Sequence, residues 1–174
     1  MLALLSALLF GAKTAMAPLP NIEPVSLLII VYTAVLGLRA LIPVYIYVLL
    51  EIVTWGFGYW SACYLYVWAV LALAAWLLRR MESPLGWAVL SGGFGLCFGA
   101  LCALAYWAAG GWAFALSWWI SGIPFDLLHG AGNFVLALVL FRPCKAVLSR
   151  LYRGGAQGQL RTAGPRREET LPEK

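Results

Sequence analysis

From Leu2 to Phe141 the chain is a succession of apolar runs, broken by charged residues set far apart. Six runs can be delimited: Leu2 to Leu19, broken by Lys13; Val25 to Leu38, ending near Arg39; Leu41 to Phe57, containing Glu51; Ala62 to Leu78, stopped by Arg79 and Arg80; Leu85 to Ala109; and Ile123 to Phe141, containing Asp126 and His129. A bilayer crossing takes about 20 residues, with a range of roughly 17–25. Most runs qualify. The second and third are short, which tilting or a deviation beside a pocket would accommodate. The expected fold is an all-α membrane protein, a compact bundle of six transmembrane helices. Composition agrees: 63% of residues are hydrophobic and 11% charged, against about 25% charged in soluble domains. That excludes a soluble enzyme, a disordered chain and a nucleic-acid binder.

The charges also set an orientation. Residues 1–141 carry eight charges and residues 142–174 carry eleven, eight of them basic. With six spans both ends lie on one side. Placing the N-terminus inside puts all nine arginines in the loops at 39–40 and 79–84 and in the tail, and leaves the outer loops near 18–24, 58–61 and 110–122 without Lys or Arg. The positive-inside rule therefore favours N-in and C-in. The first run is read as a helix and not a signal peptide, because its only cation, Lys13, follows the apolar stretch instead of preceding it. Residues 1–153 form the membrane domain. Within it, Arg142 to Arg153 alternates basic and apolar residues, as in a short amphipathic helix on the inner leaflet in contact with anionic lipid. Residues 154–174, rich in Gly, Gln, Pro and charge, are expected to be a disordered cytoplasmic tail. No internal repeat supports an inverted-repeat transporter.

Unusual residues collect in the outer half. The linker Pro20-Asn21-Ile22-Glu23-Pro24 holds an amide and a carboxylate near the outer surface, as either a polar turn or part of a site. Glu51 shares a helical face with Trp55, and Tyr59 continues the stripe if the helix persists. A carboxylate inside a bilayer costs several kcal/mol unless paired or hydrated, which makes it a functional candidate or the salt-bridge partner of Lys13. Lys13 lies about 17 Å along the first helix. It must face the interior, a carboxylate or water, or else snorkel to the interface. Asp126, His129 and Asn133 form one polar stripe on the last helix, facing a ligand or neighbouring helices. Trp55, Tyr59, Trp60, Tyr64, Trp107, Trp112, Trp118 and Trp119 fall near the same end, as an interfacial belt or as ring surfaces for stacking. The segment 110–122 is a candidate lid.

Two stripes of small residues allow close helix approach: Ala3, Ala7, Gly11 and Ala15, and Ser91, Gly95, Gly99 and Ala103. One is expected to pack internally and one to face another protein. Cys63, Cys97, Cys102 and Cys144 match neither a zinc site nor a redox pair, and a single histidine makes a poor transition-metal site, so no metal is expected.

Together these features resemble the S components of energy-coupling factor (ECF) transporters. Ala3-Leu4-Leu5-Ser6-Ala7 is similar to the family's small-residue motif on the first helix, although the next step is Gly11. Pro20-Asn21-Ile22-Glu23-Pro24, Trp119-Ile120-Ser121-Gly122-Ile123-Pro124-Phe125-Asp126 and His129-Gly130-Ala131-Gly132-Asn133-Phe134 also resemble members. The resemblance covers about residues 1–150. It implies a substrate-binding subunit in a bacterial cell membrane that takes up a vitamin or similar micronutrient. It also implies a T component partner, contacted through the first-helix stripe, and two cytoplasmic ATPases. The chain has no phosphate loop of its own, so no cofactor is expected and ATP would be hydrolysed by the partners. An intramembrane enzyme is the alternative: a Ser–His dyad would need Ser117 or Ser121 beside His129. A self-sufficient carrier or channel is the other. The three outer acids Glu23, Glu51 and Asp126, set against Lys13 alone, lead us to expect a heterocyclic ligand with amine or ring N–H groups.

Overall fold

The structure is a computed structural model that describes residues 1–18 and 22–162, with side chains through Gly154. Among these residues there are five α-helices and no strand: α1 (Leu2–Ala15), α2 (Val25–Leu36), α3 (Leu41–Trp55), α4 (Tyr59–Leu77) and α5 (Pro84–Thr162), with a 3₁₀ turn at Gly37–Ala40 between α2 and α3. Six separate helices were expected. The last two apolar runs instead belong to one helix, α5, broken at Gly111.

Glycines set the boundaries. Gly37 ends α2 at φ 63° and Gly56 ends α3 at φ 85°, positive values that a side chain would disfavour. Ser61 starts α4 by accepting the Gly58 N–H at 2.6 Å and donating to the Gly58 carbonyl at 2.8 Å. Pro84 opens α5, where a missing N–H costs nothing. At Gly111, φ is 78° and ψ is −179°, and the helix reverses within one residue. Gly95 lies against Gly130 and Gly99 against Asp126, while Trp87 stacks on Phe141 with ring centres 4.8 Å apart. Residue numbers that rise on one arm and fall on the other define an antiparallel hairpin. Segment 110–122 is therefore helical on both sides of Gly111 and not a separate lid.

The hairpin closes tightly because glycines stand at its closest contacts. A Cβ on Gly95 would lie 2.8 Å from the Gly130 backbone, and one on Gly99 would overlap the Asp126 carboxylate. The stripe of Ser91, Gly95 and Gly99 is thus used up inside the fold. The first-helix stripe is not: Ala3, Ala7, Gly11 and Ala15 are all exposed.

α2 is the centre of the bundle, apolar all round, with nine of its twelve residues buried. It packs against α4 and α5, while α1 lies chiefly on α3. Tyr32 of α2 donates to the Leu5 carbonyl at 3.1 Å, which ties α1 to this centre. The outer surface is the reverse of a soluble one. Leu4, Leu49, Val53, Leu73, Leu104, Val135 and Val139 all face outward. Three stretches, Val25–Trp55, Tyr59–Leu77 and Pro84–Gly154, are long and apolar enough to cross a membrane. This suggests a membrane protein.

The basic segment 142–153 continues α5, with Leu148 buried, and is not a separate helix. The helix continues through Thr162, into the segment expected to be tail. Residues 163–174 of that tail lie outside the described residues.

Candidate functional site

One end of the bundle gathers the polar chemistry. Here α1 ends, α2 begins, α3 ends and α4 begins, around an open cavity of about 510 Å³. Lys13 comes from the last turn of α1, Glu23 from the segment before α2, Glu51 and Trp55 from the last turns of α3, and Trp60 and Tyr64 from the start of α4. The two arms of α5 add Phe98 and His129, and Thr14, Met16 and Ala17 complete the wall.

Lys13 is the electrostatic hub. Its ammonium pairs with Glu51, the only ion pair among the described residues, and donates to the Tyr64 hydroxyl at 3.2 Å. It also lies 4.9 Å from the Tyr64 ring centre and 5.4 Å from that of Trp60, within reach of a cation–π contact. Glu51 has no solvent exposure. Burial of that kind is tolerable only because the charge is paired.

The pairing is incomplete. Glu51 Oε1 and His129 Nε2 are both buried and have no hydrogen-bond partner. Glu23 adds a second carboxylate. Burial pushes its carboxyl above the ordinary value, Lys13 opposes the shift and Glu51 adds to it. With both acids ionised, one cation faces two anions and the cavity is net negative. Its walls are aromatic: Trp60 meets Tyr64 edge to face at 5.3 Å, and Phe98 meets His129 the same way at 4.9 Å. Such a site can hold a flat, hydrogen-bonding cation.

The candidate residues thus divide. Lys13, Glu23, Glu51, Trp55, Trp60 and His129 come together in the cavity. Tyr59 packs with Tyr106 and Phe114 and is half exposed, outside it. Trp118 stacks on Tyr106 at 4.0 Å and, with Asp126, lines a separate cleft of about 320 Å³. Asp126 accepts the Gly99 N–H at 3.0 Å, leaving its other oxygen unpaired. Trp119 lines an apolar groove with Trp107 and Trp112. Asn133 donates to Ser26 Oγ at 2.9 Å and bonds α5 to α2, the helix-binding alternative for that position. Asn21 lies outside the described residues. Ser121 donates to the carbonyls of Ser117 and Trp118.

Thr14 and Phe98 were absent from the candidate set, and Tyr64 stood only among the aromatics of this end, not among the binding residues. Tyr64 was readable, being four residues beyond Trp60 on one helical face. Phe98 carries no mark within its apolar run. Among the described residues no cluster of His, Cys, Asp or Glu could hold a metal ion, and the four cysteines are free. Comparisons with protein families, with curated proteins and with solved structures find no match to this chain.

Proposed function

We propose that this cavity is a small-molecule binding site and that the chain is the substrate-binding membrane subunit of an ECF-type importer. The observation that carries the reading is the pair of unpartnered polar atoms, Glu51 Oε1 and His129 Nε2, buried in an aromatic-walled cavity. An ion-pairing lysine and a second carboxylate face the same space. Unpaired buried acceptors and donors cost free energy until something bonds them. A ligand with amine or ring N–H groups would do so, and the tryptophan and tyrosine rings would stack on it. The volume fits the roughly 300–1,000 Å³ usual for small-molecule sites.

In this reading each of α1 to α4 and each arm of α5 would cross once, which would make six crossings with both termini on one side. Arg39, Arg79 and Arg80 follow α2 and α4 at the end opposite Lys13, in keeping with N-in and C-in and an outward-facing cavity. The exposed stripe of Ala3, Ala7, Gly11 and Ala15 leaves α1 free to pack closely on a T component. ATP hydrolysis would fall to two partner ATPases.

The test is the small-molecule content of the protein purified in mild detergent. After denaturation, mass spectrometry should find a heterocycle with amine or ring N–H groups, lost in Glu51→Gln. The same preparation should bring down a membrane partner and two ATPases, and Ala7→Trp should lose the partners but keep the ligand. A purely anionic ligand, or one retained by Glu51→Gln, would overturn the assignment of the cavity. Isolation without any partner would overturn the importer reading.

A further inference from the structure

The opposite end of the bundle holds a second concavity, of about 760 Å³, between the α4–α5 connection and the far part of α5. Its lining includes Arg142, Lys145, Arg150 and Arg153, with Phe141 and, as the one carboxylate among the described residues, Glu82. Lys145, Arg150 and Arg153 follow Arg142 by three, eight and eleven residues along one helix and so lie on one face. None of them is in an ion pair among the described residues. Lys145 is only half buried, its ammonium 5.7 Å from the Phe141 ring centre. Four positive groups against one negative leave about three charges uncompensated, which favours an anion.

Depth identifies the anion. Trp87 stacks on Phe141, so Arg142 and Lys145 stand level with the start of α5 and the Leu78–Ser83 connection. α4, ending just before that connection, has nineteen residues, or about 28 Å at 1.5 Å per residue, close to the roughly 30 Å of a hydrocarbon core. The groove therefore begins where the apolar span ends, in the headgroup band. Val147 and Leu151, exposed apolar side chains of the same helix, lie on the side turned away from the cations.

We infer that this groove is a discrete site for the phosphate of an anionic phospholipid. Arg142 and Lys145 contact the phosphate, and Arg150 and Arg153 extend the positive field beyond it. Glu82 limits the affinity by repulsion. The site requires only that the chain sits in a bilayer. It is independent of the ligand cavity and of which leaflet the groove faces.

Native mass spectrometry of the protein released from nanodiscs of phosphatidylglycerol and phosphatidylcholine tests this. One phosphatidylglycerol should be retained in preference to phosphatidylcholine. Arg142→Gln and Lys145→Gln should each lower that preference about fivefold, as expected for a charge near a membrane surface. Glu82→Gln should raise it. Arg80→Gln is the control, because Arg80 does not line the groove, and it should change nothing. Equal losses from Arg80→Gln and Arg142→Gln would show diffuse attraction and overturn the site. So would an unchanged preference in the double variant Arg142→Gln/Lys145→Gln. Displacement of the lipid by millimolar inorganic phosphate would reassign the groove to a soluble phosphate.

Discussion

Lys13→Met removes the ammonium opposite Glu51 and keeps an unbranched side chain at the end of α1. Glu51 is fully buried while Lys13 retains 23% side-chain exposure. Removing one partner of a buried pair costs about 3–5 kcal/mol, because a charge is left uncompensated. The open cavity admits water on the Lys13 side and screens part of that loss, so about 2–4 kcal/mol is expected. The double variant Lys13→Met/Glu51→Gln removes both charges and should lie within about 1 kcal/mol of the parent, since replacing a whole buried pair is often neutral. Unfolding by SDS in mixed micelles, followed by circular dichroism, gives the three free energies at a common SDS fraction. The double variant must be less destabilised than the sum of Lys13→Met and Glu51→Gln. Additive losses, or a cost below about 1 kcal/mol for Lys13→Met alone, would mean that the pair does not hold α1 to α3.

If the cavity binds a cation as proposed, the raised carboxyl of Glu23 should make that binding pH-dependent. Affinity for a cationic ligand should rise with pH as Glu23 ionises and level off above its folded value, and calorimetry should find the slope absent in Glu23→Gln. Folding stability should run the other way, falling as pH rises from 4.5, the ordinary value, through the raised one, because the folded state holds the proton more tightly. Gly95→Ala forces a methyl group against the Gly130 backbone and should cost about 1–3 kcal/mol by overpacking. Gly93→Ala, two residues away in open space, should gain about 0.5–1 kcal/mol through helix propensity, and thermal unfolding in one detergent compares the two.

The residues that could be read from the sequence were those the bilayer penalises. Lys13, Glu51 and His129 have to face inward or find partners, so their rarity in apolar runs marked them. Direction around a helix was harder. Tyr59 precedes Trp60 by one residue, which turns it about 100° away and out of the cavity. Asp126 and His129 are three residues apart and share a face, yet they differ by about 4.5 Å in height. That is enough for them to line different concavities, with Phe98 lining both. The small-residue stripes were visible, but which one was buried depended on the reversal at Gly111. One glycine with positive φ can turn a helix back without a loop, and nothing in the run of glycines singled it out. Trp118 and Trp119 were expected on a lid for the same reason. The helix resumes at once after Gly111 and carries them down the second arm.

The polar atoms left unpaired in the cavity link stability to function, and His129 separates the two. Its ring is almost fully buried at 3% exposure, sits edge to face with Phe98, and has no partner for Nε2. His129→Leu removes that unsatisfied nitrogen, a gain of about 1–3 kcal/mol, and loses the aromatic contact, a cost of about 0.5–1.5 kcal/mol. The two nearly cancel, so the variant should unfold within about 1 kcal/mol of the parent and on the stable side if anything. Ligand affinity should fall all the same, by roughly twofold to tenfold for one lost hydrogen bond of about 0.5–1.5 kcal/mol. A residue whose loss helps the fold and harms binding is retained for binding. SDS unfolding and calorimetry on the same preparation measure both sides. A loss of stability above about 2 kcal/mol would show that Nε2 has a structural partner. Unchanged affinity would remove His129 from the ligand's contacts and leave Glu51 as the only unpaired acceptor that the cavity's buried wall offers among the described residues.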